Sequence, residues 1–63
     1  MTVTFGKIQR LVSIAVIAFN LNAGQSKQLD YYVRANQQEW IDRLRSEAEV
    51  EQAIKSEARR IAG

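Results

Sequence analysis

Leu11-Val12-Ser13-Ile14-Ala15-Val16-Ile17-Ala18-Phe19-Asn20-Leu21 (LVSIAVIAFNL) is the most apolar stretch of the chain, and what covers it decides the fold. A membrane-spanning helix needs roughly 20 mostly apolar residues. The uninterrupted run here is Leu11 to Phe19, bounded by Arg10 on one side and Asn20 and Asn22 on the other. It is too short for an ordinary span, so cover by protein is the leading expectation. A shallow span remains the alternative, with Lys7 snorkelling to a headgroup layer. Lys7 and Arg10 would then hold the N-terminus in the cytoplasm. The stretch also imitates a secretory signal, with a basic lead and a small-residue exit at Asn22-Ala23-Gly24. A cut after Ala23 would place Leu21 three positions upstream, a poor fit to the A-x-A pattern, so the segment is expected to stay in the chain.

On a helical wheel, Gly6, Gln9, Ser13 and Asn20 form a narrow polar stripe beside Arg10, interrupted by Ile17. The remaining arc holds Phe5, Ile8, Leu11, Val12, Ile14, Ala15, Val16, Ala18 and Phe19. That arc is wider than the stripe of roughly 100° that suits a helix lying on a single core. The chain has 63 residues, no Cys and no His. A domain near this size buries only about 60% of its unfolded surface, and small scaffolds lean on disulfides, metals or partner subunits. Disulfides and thiolate or imidazole zinc sites are excluded by composition, which leaves self-association or docking into a larger assembly.

Outward from this segment, Thr2-Val3-Thr4-Phe5 reads as an arm over residues 1–5, with Thr4 the N-cap of an apolar helix over 5–22. No second strand is expected to pair with the arm. Asn22-Ala23-Gly24-Gln25-Ser26 punctuates the chain, so residues 23–26 are predicted as a turn in which Gly24 closes one helix and Ser26 caps the next. A charged amphipathic helix is predicted over 27–62, with apolar residues at Leu29, Val33, Trp40, Leu44, Ile54, Ala58 and Ile61. Its exposed side is laced by Asp30 with Arg34, Glu39 with Arg43, and Glu51 with Lys55, each acid four residues before its base. Glu47 and Glu51 fall on the apolar stripe, and Ser46-Glu47-Ala48-Glu49 spells a capping box. Two readings follow: a kink or break at Ser46, or one straight helix with both glutamates at the rim. In an antiparallel hairpin these glutamates could also approach Lys7 or Arg10. The absence of proline leaves nothing to interrupt long helices.

The predicted architecture is therefore all-α: a single small domain, a helical hairpin of two long helices, the second open to a kink near Ser46, completed by oligomerisation or a partner. The function expected is non-enzymatic protein–protein interaction by a structural assembly subunit, in the cytoplasm or within a macromolecular assembly. Interface residues are expected at Phe5, Leu11, Val12, Ile14, Val16, Phe19, Leu29, Val33, Trp40, Leu44, Ile54 and Ile61. Trp40 is the favoured anchor, because aromatic side chains with a polar handle are enriched at interfaces. No catalytic residue, cofactor or metal is expected. Glu47 with Glu51 is the only acid pair placed for a metal, and bundle carboxylate sites normally add histidine.

Two other classes compete. One is a membrane-anchored adaptor with Leu11 to Phe19 in lipid and the charged helix protruding. The other is a small nucleic-acid binder using Lys27, Tyr31, Tyr32 and Arg34, since aromatics interleaved with bases stack on single strands. The formal net charge is only +2 and acids are interspersed on the same face, so nucleic acid is the weaker expectation.

Overall fold

Three short polar side chains start three helices in the computed structural model, which describes residues 2–63. Thr4 Oγ1 accepts from the Lys7 amide at 3.2 Å and opens α1, Phe5–Ala18. Asn22 Oδ1 accepts from the Gln25 amide at 2.8 Å, while Gln25 Oε1 accepts from the Asn22 amide at 3.0 Å; this reciprocal box opens α2, Ala23–Asp42. Ser46 Oγ accepts from the Glu49 amide at 3.2 Å and opens α3, Glu47–Ala62. Each cap satisfies one amide that a helix start otherwise leaves without a partner.

Fold class is all-α as the sequence predicts, but there are three helices and not two. The residues predicted as the first turn are already helical. Asn22 with Gln25 forms the complete capping box, so Ala23–Ser26 is the first turn of α2 and Ser26 lies inside the helix. Gly24 is not the left-handed residue; Asn20 is, with φ 52°. Asparagine tolerates that region better than other side-chain-bearing residues, which ends α1 at Ala18, ahead of the predicted residue 22. The Asn20 amide donates to the Ile17 carbonyl at 3.2 Å and the Leu21 amide to the Val16 carbonyl at 3.0 Å, satisfying carbonyls at the helix end.

The predicted helix over 27–62 is interrupted between Asp42 and Glu47. Its exit repeats the α1 pattern: Leu44 donates to the Ile41 carbonyl at 3.1 Å and Arg45 to the Trp40 carbonyl at 2.8 Å. Here a leucine holds φ 54°, a conformation that costs a side-chain-bearing residue roughly 1–2 kcal/mol. The N-terminal arm answers the corner. Val3 N–H donates to the Arg45 carbonyl at 3.1 Å, Thr2 bridges Ser46 in antiparallel sense, and the Val3 side chain is buried. The arm thus finds a pairing partner the sequence did not predict, in the turn between α2 and α3.

Because α2 reverses the chain twice, α1 and α3 run in the same direction. Lys7 reaches Glu47 near their starts at 3.6 Å, and Gln25 Nε2 reaches the Ile61 carbonyl at the far end at 3.4 Å. The 20-residue α2 is about 30 Å long at the standard rise and matches the 30 Å long axis of a body 18 Å across. All three helices meet in one core, with Ile8, Leu29, Val33, Val50 and Ile54 fully buried at its centre. Tyr32 and Trp40 pack edge to face at its margin, ring centres 6.0 Å apart. Burial, and secondarily the Glu57 carboxylate, pushes the Tyr32 hydroxyl above its ordinary pKa. Arg60 hydrogen-bonds Glu57 and holds that carboxyl below the usual range, outweighing the partial burial that acts the other way.

Two outcomes follow from these local arrangements. Leu44→Gly removes the left-handed strain and is expected to raise stability by about 0.5–1 kcal/mol, several degrees in Tm, whereas Ser46→Ala costs about 1 kcal/mol; thermal melts followed by circular dichroism check both. Since the folded-state pKa of Glu57 is depressed, its contribution is complete above the unfolded carboxylate value and is lost as pH falls through the folded one. The stability gap between the wild type and Glu57→Gln should therefore be widest near neutral pH and close in acid, as measured by urea melts across pH.

Candidate interaction surface

The α1 wheel divides as its polar stripe dictates: Gly6, Gln9, Arg10 and Ser13 face solvent, while Ile8, Leu11, Val12 and Ala15 are buried between α2 and α3. The breadth of the apolar arc is thus answered largely within the chain, because two helices cover α1 and not one. Cover stops short at its edges. Phe5 and Ile14 are about half exposed, at 48% and 49%, and Ile17 is 80% exposed.

Ile14 stands at the lip of a shallow groove where α1 and α3 run alongside each other, with a volume of about 60 Å³. Leu11, Ile14, Ala15, Ala18 and Phe19 supply the α1 wall, and Glu51, Ile54 and Lys55 the α3 wall. The two alanines on the α1 wall are the local cause, since longer side chains there would fill the space. The wall of α3 is edged by the Lys55–Glu51 ion pair, at 3.1 Å. Glu47, the other acid on the apolar stripe, pairs across to Lys7, the inter-helix contact that the hairpin reading raised. Both glutamates are half-buried at the α1–α3 edge and each carries a cationic partner, which is how acids stand on an otherwise apolar stripe.

The twelve predicted interface residues divide by place. Leu11, Val12, Leu29, Val33 and Ile54 are buried in the chain's own core; Val16, Phe19, Trp40 and Ile61 are partly buried against it. Of these, Leu11, Phe19 and Ile54 also line the groove with Ile14. Phe5 lies outward at the start of α1, and Leu44 projects at 74% exposure from the α2–α3 corner, away from the seam it was assigned to. It leaves the seam because its backbone turns left-handed there and the helix does not pass through it. Sequence reasoning missed Ile17 as a surface residue, although its position inside the polar stripe was the available signal. It also missed Val3, Leu21 and Val50, all buried, because their burial depends on the turns that bring them in.

Charge is distributed in pairs. The three intrahelical pairs expected from the sequence are present, Arg34–Asp30 at 2.9 Å, Arg43–Glu39 at 3.4 Å and Lys55–Glu51, joined by Arg45–Glu49 and Arg60–Glu57. Among the described residues, the bases Arg10, Lys27 and Arg59 and the acid Asp42 make no ion pair, and their balance is the net charge of +2. Such exposed pairs contribute little individually, about 0–1 kcal/mol.

Of the cluster at the start of α2, Lys27, Tyr31 and Arg34 line a shallow outward depression together with Asp30, and Tyr31 is 80% exposed, whereas Tyr32 turns away to pack on the core margin against Trp40. Arg34 is engaged by Asp30, which lowers the field the face offers to phosphate. A third helix exists, as a helix-turn-helix would require, but α3 begins with Glu47 and Glu49 in its first turn. Carboxylates in that place repel the phosphates a recognition helix must approach. No helix of the described residues is long and apolar enough to cross a membrane. Comparison of the chain with family models, curated proteins and solved structures finds no match.

Proposed function

We propose that this chain is a non-enzymatic interaction subunit that docks onto another protein through the α1–α3 groove and the isoleucines beside it. The observation that carries the reading is the exposure of Ile14, which lines a concave apolar surface, together with that of Ile17 three residues further along α1. Adjacent β-branched side chains left in water lose the favourable transfer that burial would give, about 1.5–3 kcal/mol for each one fully covered. In a chain this small, whose own core accounts for most of its apolar side chains, an adjoining apolar ridge and groove fit an interface. The surrounding surface is polar and ion-paired, as interface rims are. The acids nearest the groove, Glu47 and Glu51, are held by lysines and are poorly placed for proton transfer, so the reading is of binding and not of chemistry.

Site-specific photo-crosslinking in the cells that make the protein tests this. A benzophenone side chain at position 17 should yield a discrete adduct with a protein, whereas the same group at Ser56, on the exposed side of α3, should yield none. The adduct should disappear when Ile14→Glu is introduced. Equal labelling from both positions, or none from position 17, would overturn the proposal.

A further inference from the structure

The charges around the groove select a class of partner. Arg10, Ile14 and Ile17 follow one another at spacings of four and three, a single stripe along α1 with Ile14 at the groove's lip. On the opposite wall Lys55 is followed four residues later by Arg59, so a second base extends that bank toward the end of α3. The two acids at the groove are already engaged, Glu47 by Lys7 and Glu51 by Lys55. Arg10 and Arg59 are exposed, and neither has a carboxylate partner among the described residues. One uncompensated guanidinium thus stands a turn before the lining residue Ile14 on α1 and another a turn beyond the lining residue Lys55 on α3, and guanidinium prefers planar, two-point pairing with carboxylate.

We infer that the groove between α1 and α3 receives an amphipathic helix from another protein, its apolar stripe flanked by Asp or Glu that pair with Arg10 and Arg59. This rests on the docking function proposed above and specifies its partner. The groove runs along two helices that lie side by side in the same direction, the shape that takes a helix ridge with anchors at successive turns. A second copy of this chain suits it less well. In a two-fold pair with α1 against α1, the N-terminal half of one helix faces the far half of the other. Arg10 would then lie toward the second copy's Lys55 and Arg59, base against base. A flat anionic lipid surface would meet the protruding Ile17 but would not follow the concave edge beside Ile14 and Ala18, the groove-lining residues of α1 that stay exposed.

The probes are two fluorescent amphipathic peptides of about five turns, identical in their leucine stripe and flanked by either Glu or Lys, titrated with the full chain and followed by anisotropy. The Glu peptide should bind at least about tenfold more tightly at low salt, and the advantage should fade as salt screens the charges. The variant R10E/R59E should reverse the preference with an unchanged melt, both side chains being exposed; Ile14→Glu should abolish binding of both peptides. Equal affinity for the two peptides, or a preference that survives R10E/R59E, overturns the inference. So does self-association in sedimentation that excludes the peptides, or binding to vesicles of anionic lipid in place of the Glu peptide. If the position-17 adduct forms but the peptides are not discriminated, the docking function stands and the acid-flanked partner falls; if there is neither adduct nor peptide binding, both fall.

Discussion

The corner between α2 and α3 is the constraint on which the rest of the molecule depends. A helix running straight from Lys27 to Ala62 would present one face to α1 and leave the other flank of that helix in water. By breaking after Asp42, the chain obtains two shorter helices that pack on both flanks of α1. The break itself is built from unfavourable and favourable parts. Leu44 is held left-handed at a cost, while the Ser46 cap, the two amide-to-carbonyl bonds closing α2 and the buried Val3 arm offset it. None of these is large alone; each is worth about 1 kcal/mol. They act together because the arm, α1, α2 and α3 all meet there.

Once that corner is formed, the arrangement of charge follows. Placing α1 and α3 side by side in the same direction brings Lys7 to Glu47 and lays Glu51 and Lys55 beside the groove. Acids that look misplaced on the wheel become the polar edge of a packed seam, each with a cation. The same arrangement leaves Ile14, Ile17 and two arginines unanswered on adjoining surface. A bundle of this size has few ways to leave such a surface unfilled without a use for it, because its stability margin is narrow. The proposed docking function and the inferred acidic partner both rest on this one edge of the fold.

Local signals in the chain were legible wherever they depended on neighbours a few residues apart. Thr4 as a cap, the polar stripe of α1, the three acid-to-base pairs and the burial of Leu29, Val33, Ile54 and Ala58 are all read from short-range spacing. The Ser46 break was written as a capping-box spelling, and the cap does form, but the matching glutamate is used differently. Glu49 accepts from the Ser46 hydroxyl at 3.2 Å and pairs with Arg45, so the box is only half made. The Asn22 box was hidden by a glycine and a serine that looked like better punctuation.

By itself, the sequence determined that this chain is helical, that it lacks the ligands for disulfides or histidine-based metal sites, and which side of α1 faces water. Those properties belong to residue types and to periodicity, which act along the chain at short range. Only the tertiary structure decided that there are three helices, that the arm closes the α2–α3 corner, and that Ile14 and Ile17 stay exposed while Leu11 and Val12 do not. Burial is a property of pairs of elements. Whether a side chain on a wide apolar arc is covered depends on where the second and third helices lie, and that was settled at a left-handed leucine whose cost is recovered partly in local caps and partly in the arm and core contacts distant in sequence.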